Sequence, residues 1–424
     1  MIERRRFLGG MATVAGSAVL GCRRRTPAGR IEASLWFTYG GRNREVLESL
    51  VGRFNDSQDR YFVRAVFQGD YFEGLAKLRT SIAANAGPTF SHVIGEVVPY
   101  LAQAGVLEPL DDYPGAKALQ LVPELAQARS WVEGDHQPLV CLPFNRSTPI
   151  AYLNGAHLTE AGAEPPKTWD EHRSLARRLT VDGGSGSRRY GFGCPISWWF
   201  WVALTGQAGG AVIEPDGRVS LGGAAGVEAV QWWRTLIHED RSMKRPPGRD
   251  YNAWEATNQD FLAGRTSIIW TSTAFLKYLE ANASFPVVAA PLPKHRRSAV
   301  PTGGTHWVLL RSAPRPAKDA AWAFLRWVLE PRQVIEWATS TGYMPVTQTA
   351  VDELERSGYY RHHPNDRVAY DQLEVAQPWP WSPWLFRIQR EVVQPRLERA
   401  VLSAGAAAAI LDEARHLAAR EVGR

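Results

Sequence analysis

The stretch IEASLWFTYGGRNREVLESLVGRFNDSQDRYFVRAVFQGDYFEGLAKLRTSIAANAGPTFSHVI, residues 31–94, changes its hydrophobic period four times. IEASLWF (31–37), YFVRAVF (61–67) and FSHVI (90–94) are short runs rich in aromatic and β-branched residues, the pattern of strands. Between them, residues 43–55 place Val46, Leu47, Leu50, Val51 and Phe54 on one helical face, and 73–84 repeat an amphipathic pattern. Strand, helix, strand, helix, strand predicts a parallel, doubly wound sheet.

A Pro-rich break near 136–149 closes this unit, and a second α/β unit follows. TWDEHRSLARRL (168–179) opens with Thr168 as N-cap and Glu171 three positions on, the spacing of a capping box. Helices are expected over 224–238, 255–263, 317–329 and 331–340, with a helical tail from about 391 to 421. SIIWTST (267–273) and FPVVAAPLP (285–293) read as strands. No internal repeat is present. Ligands in open α/β sheets bind at the carboxyl ends of strands, so two facing sheets would enclose a cleft.

The 424 residues suffice for two domains, and 45% hydrophobic with 22% charged residues is a globular composition. The net charge of +6 is concentrated at the N-terminus, in Arg4, Arg5, Arg6, Arg23, Arg24 and Arg25. The remainder lacks a basic stripe, which argues against nucleic acid as a partner. Seventeen tryptophans exceed ordinary core needs and suit a ligand cleft with flat apolar faces.

Residues 1–22, MIERRRFLGGMATVAGSAVLGC, have the three parts of an export signal. Arg4–Leu8 matches a twin-arginine pattern, and Val19-Leu20-Gly21-Cys22 resembles a lipobox whose cysteine is acylated. An ordinary cleaved signal or an N-terminal anchor is the alternative. The expectation is an exported, membrane-anchored lipoprotein of the periplasm or cell envelope, with 23–30 as tether. Cys141 and Cys194 are read as two buried thiols, or a disulfide if the fold brings them together.

CLPFNRSTPIAYLN (141–154) and PPKTW (165–169) resemble strings of the bacterial extracellular solute-binding proteins that include the maltose-binding proteins. The nearest pattern is that of the glycerol-3-phosphate-binding members, which carry P-F-N-S-S-T-P and P-P-K-T-W. RFNDSQ (53–58), QGDYFEGL (68–75), PTGGTHWV (301–308) and STGYMPVT (340–347) continue the resemblance in order and spacing. It implies a type II periplasmic-binding-protein fold of two α/β lobes, 31–143 plus 289–340 and 144–288 plus 341–424, hinged around a ligand cleft. It also implies a monomer that captures a phosphorylated polyol or sugar for ABC permease subunits, without cofactor or metal. Carried over position by position, the ligand contacts fall on Tyr71, Glu96, Ser147, Ser272, Gly304, Tyr343 and Arg390, with Arg387 as alternative for the last. Trp198 and Trp201 take the place of two tryptophans laid against the glycerol, with Trp199 between them.

Two departures stand out. Arg146 replaces the first serine of N-S-S-T, and would either add a phosphate contact or point to solvent. Phe37-Thr38 replaces a histidine and a serine after Trp36.

Hydroxyls, a glycine N–H and a guanidinium are the donors a phosphate needs, and Glu96, after a strand, can accept from ligand hydroxyls. PWPWSPW (378–384) reads as packing or a pocket rim. His362-His363 is read as an exposed loop, lacking partners at metal-ligand spacing. GGSGS (183–187) is a turn without the Gly-Lys-Ser/Thr ending of a phosphate loop. The expected function is capture of glycerol-3-phosphate or a glycerophosphodiester for an ABC importer; an oligosaccharide or polyol receptor is the alternative. A secreted hydrolase is disfavoured, since neither a metal pattern nor a G-x-S-x-G elbow occurs.

Overall fold

The computed structural model describes residues 26–126, 138–183, 188–214, 218–245, 250–377 and 379–422. The expected export signal with Cys22, residues 23–25 of the tether, most of the 183–187 turn and Pro378 lie outside them.

Strands Tyr61–Phe67, Ile31–Phe37, Phe90–Ile94, Gly303–Leu309 and Leu142–Ser147 form the first sheet in that spatial order. The first three are parallel, with Ile31 opposite Tyr61 and Leu35 opposite Phe90, as the sequence predicts. Gly303–Leu309 runs antiparallel to both its neighbours. Ala33, Leu35 and Phe37 point to one face of the sheet by the period-two rule. There they meet Leu47, Leu50, Val51 and Phe54 of helix Gly41–Asp56 and Ala320, Ala321, Phe324 and Leu325 of helix Arg315–Val328.

The second sheet carries Val287–Ala290, Pro149–Asn154, Thr266–Ser272, Arg188–Gly193 and Val181–Asp182, with Met243–Lys244 also beside Arg188–Gly193. It is mixed rather than parallel: Pro149–Asn154 is antiparallel to both its neighbours. The physical reason is the crossing. Only Thr148 separates Leu142–Ser147 from Pro149–Asn154, so the chain steps from one sheet into the other with no helical crossover. The strand expected over 285–293 is confined to Val287–Ala290, because Pro286 and Pro291 flank it and cannot donate to a ladder.

Thr168 caps helix Trp169–Leu179 by accepting from Glu171 N–H. Glu171 accepts from Lys167 N–H at 2.7 Å, so the box closes one residue earlier than the standard motif. The C-terminal tail is two helices, Gln394–Leu402 and Ala407–Val422, broken at 403–406, where Gly405 and Ser403 interrupt the pattern. Both pack on the second core through Leu397, Val401, Leu411 and Ala414.

We propose the expected two-lobe partition with two shifts. Val287–Ala290 pairs wholly within the second sheet, while Tyr343, Met344, Val346, Ala350 and Val351 bury their side chains with the first core. Among the described residues no helix is long and apolar enough to cross a membrane.

Candidate functional site

Both sheets contribute to the walls of a cavity of about 910 Å³. Tyr71, Glu96, Ser147, Trp198, Ser272, Gly304, Tyr343 and Arg390 all line it. Sequence positions as far apart as 71 and 390 therefore meet at one place.

Local folding explains each position. Asp70 caps helix Tyr71–Ala83 by accepting from Phe72 and Glu73 N–H, which fixes Tyr71 at the first helical residue. Gly342 ends helix Pro331–Thr341 at φ +91°, where a Cβ would lie 2.5 Å from the Thr273 carbonyl oxygen. The turn delivers Tyr343, whose ring stacks on Trp337 at 5.8 Å. The two tyrosine hydroxyls are 3.4 Å apart, and Asn145 Nδ2 donates to Tyr71 at 3.2 Å. Ser147 and Ser272 end their strands, and Ser272 Oγ accepts from Ala274 N–H. Gly304 stands at φ +95° in a strand irregularity; a Cβ there would fall 1.7 Å from the Asn145 carbonyl oxygen, so only glycine fits.

Glu96 follows strand Phe90–Ile94 in a short 3-10 turn. Burial raises its carboxyl above the usual range, while its own backbone N–H, the Arg146 guanidinium and Gln389 pull it back. Arg390 lays its guanidinium over Phe72, 3.7 Å from the ring centre. Arg387 faces outward instead, paired with Glu421 at 2.8 Å and Glu391 at 3.1 Å, so Arg390 is the cleft arginine.

Two expectations are corrected. Trp201 does not reach the cavity: it is 0% exposed, and its Nε1 donates to Gly226 carbonyl oxygen at 3.0 Å. Trp198 to Gln207 is a helix, and a spacing of three turns Trp201 into the second core while Trp199, about 100° round, faces the cleft. Arg146 neither points to solvent nor lines the cleft. It is 2% exposed, donates to Thr302 Oγ1 at 2.7 Å and has its pKa lowered to about 10 by burial. Strand alternation turns it away from the face that carries Asn145 and Ser147.

The family of bacterial extracellular solute-binding proteins matches residues 49–360. The chain belongs to that family. Its role is that of the solute-binding protein of an ABC importer, and the family and relatives are transport proteins rather than enzymes. The sn-glycerol-3-phosphate-binding periplasmic protein UgpB of Yersinia pestis bv. Antiqua is 24% identical over 375 residues, covering 83% of this chain and 82% of that protein. The structure of UgpB from Mycobacterium tuberculosis in complex with glycerophosphocholine superposes with a TM-score of 0.81 at 24% identity, covering 93% and 99% of the two chains. The ABC substrate-binding protein Lmo0181 from Listeria monocytogenes, in complex with cycloalternan, gives 0.80 at 15% identity, with 93% and 99% covered. The two superpositions establish the type II periplasmic-binding-protein fold.

This solute-binding protein also lines its cleft with residues that sequence reasoning did not single out: Tyr39, Trp254, Asn258 and Gln389. Trp199, between Trp198 and Trp201 in the sequence, lines it as well. Its Nε1 donates to Thr302 carbonyl oxygen at 3.2 Å, and its ring lies 5.7 Å from Trp254. Tyr39 adopts φ +115°, a left-handed conformation that nothing in a tyrosine's identity announces. Within 379–384 the tryptophans pack: Trp379 stacks on Trp198 at 6.3 Å, and Trp384 lies against the second core. His363 stacks on Tyr359 at 4.3 Å, and Cys141 and Cys194 are separate buried thiols.

Proposed function

We propose that the cleft captures glycerol-3-phosphate or a glycerophosphodiester and presents it to ABC permease subunits. The observation that carries this reading is the convergence of Tyr71, Ser147, Ser272, Tyr343 and Arg390 on one cavity, with Glu96 on its wall. Hydroxyls and a guanidinium suit phosphoryl oxygens; a carboxylate suits polyol hydroxyls; Trp198 and Trp199 offer apolar faces to a carbon backbone. The likeness to two glycerophosphate-binding relatives supports the same chemistry. A cavity of about 910 Å³ is roomy for the smaller ligand and favours a phosphodiester with a second headgroup.

The second reading is an oligosaccharide receptor, favoured by the Trp199–Trp254 pair and the likeness to a cycloalternan-binding structure. Calorimetry separates the two. Glycerophosphocholine should bind saturably, and Arg390→Ala should weaken binding by about 2–5 kcal/mol, the cost of losing a buried charge-assisted partner. Tight binding of a maltodextrin with no heat from either phosphorylated ligand favours the second reading.

Export and acylation at Cys22 belong to the same proposal on the sequence alone. The mass of the mature N-terminus tests them: an unacylated first residue other than Cys22 contradicts the anchor.

A further inference from the structure

Asn258 carries a buried amide that the protein itself does not use. The residue is 2% exposed and lines the cleft, its Oδ1 is shut in without a hydrogen-bond partner, and its side chain makes no hydrogen bond among the described residues. An unpaired amide away from bulk water costs stability. Other buried amides do not stand this way. Asn55 donates to the Val63 carbonyl oxygen and accepts from Val63 N–H, and Asn145 is bonded at both ends. The surroundings of Asn258 are flat and apolar. Helix Asp250–Leu262 turns Trp254, Glu255, Asn258 and Gln259 to the cleft, a spacing that puts them on one helical face. Trp254 lies 5.7 Å from Trp199 and 6.4 Å from Phe275, which follows Ser272 by three residues. A Cβ placed on Gly303 would meet Trp199 Cζ2 at 2.7 Å and Ser147 Oγ at 3.2 Å, so that indole and that hydroxyl are neighbours. The aromatic patch beside Asn258 therefore adjoins the serine donors of the cleft.

We propose that Asn258, Trp199 and Trp254 form a second subsite of the cleft for a polyhydroxylated headgroup, a polyol or sugar ring, with Asn258 as its hydrogen-bonding residue. It rests on the binding reading above for the phosphodiester that joins this headgroup to the rest of the ligand. The chemistry of the three side chains selects the class. The C–H face of a polyol ring packs on indoles, while neighbouring hydroxyls both donate and accept, which matches an amide that offers a carbonyl oxygen and an NH2 group. A quaternary ammonium can also lie on indole faces. It has neither donor nor acceptor, however, and bound there it would leave the Asn258 amide unpaired and cut off from water. The same amide thus rewards one headgroup and penalises the other.

Two variants test this. Asn258→Ala removes the amide and puts a better helix former in its place, and Asn258→Leu keeps the branched shape without polar atoms. Ligand-free, at least one should melt no lower than wild type, since no internal hydrogen bond is lost; a fall of several degrees in both would mean that the protein holds the amide, and overturns the proposal. In calorimetry the variant that keeps its melting point should weaken glycerophosphoinositol by about 10-fold more than it weakens glycerophosphocholine. Reading each ligand against wild type cancels the difference in ligand charge. Equal losses, or a larger loss for glycerophosphocholine, overturn the subsite while leaving the phosphodiester reading intact. If wild type instead takes a maltodextrin and no phosphodiester, the proposed function fails, and the same variants decide the subsite: a loss of about 10-fold for the maltodextrin supports it, and unchanged affinity overturns it. A protein that binds neither class overturns both.

Discussion

The Glu96 carboxyl is held above its usual range by burial, and the groups that face it are its own backbone, Arg146, Gln389 and Tyr71. Burial therefore makes its ionised form harder to reach than in an exposed carboxylate, while ligand hydroxyls donating to it favour the ionised form. Affinity should be full above the raised pKa and fall as pH drops through it. Titration with glycerophosphocholine, whose phosphodiester does not ionise in this range, should show that fall in wild type and not in Glu96→Gln; a flat profile in both contradicts the assignment. At this scale Tyr71, Ser147, Ser272, Gly304 and Tyr343 were legible because short motifs carried them into the cleft. Arg146 was not legible: nothing in N-R-S-T tells which strand face a residue takes until the strand's partners are known. Tyr39 was missed because its left-handed backbone is imposed by the chain around it.

At the scale of the element, SWWFW shows where local pattern stops being informative. Trp198 to Gln207 is apolar all round, with Trp198, Phe200, Trp201, Val202, Ala203 and Leu204 buried together, so no stripe marks the face that meets the ligand. Trp201→Ala should destabilise the fold by about 3–5 kcal/mol with its core cavity. Trp199→Ala should mainly weaken ligand binding. Thermal denaturation and calorimetry on the two variants check this, and the reverse pattern would place the indoles the other way round. The alternation over 31–94 was legible because each strand–helix pair buries one simple face. The antiparallel Gly303–Leu309 strand was not, since its partners lie more than 150 residues upstream in sequence, at Phe90–Ile94 and Leu142–Ser147. The tail reads as one helix by composition, but Ser403 and Gly405 break it into two.

Across the whole molecule, two cores hold neutral histidines. Burial lowers both His92 and His172 to about 3 from 6.5. His172 packs edge-on to Phe192 at 4.5 Å and lies 5.2 Å from Trp270. The unfolded chain binds these protons below 6.5 and the folded chain does not, so their contribution to stability is present above that pH and lost as pH falls toward 3. At pH 5 each should cost about 2 kcal/mol relative to neutrality. Denaturant midpoints at pH 7 and 5 test this, and His172→Phe should flatten the slope; an unchanged slope contradicts it. The two sheets are joined through Thr148 and through the return between Ala290 and Gly303, and the cleft walls meet beside those crossings. Closure over a ligand would therefore bring Tyr71 and Tyr343 toward Trp198 and Trp199.

The central claim is that the donors of the cleft hold a phosphoryl group. A crystal structure of the protein with glycerophosphocholine measures it directly. Phosphoryl oxygens should lie within hydrogen-bond distance, about 2.6–3.2 Å, of Tyr71, Ser147, Tyr343 and Arg390. A phosphoryl group lodged between Trp199 and Trp254, or a ligand bound outside the cavity, would contradict it.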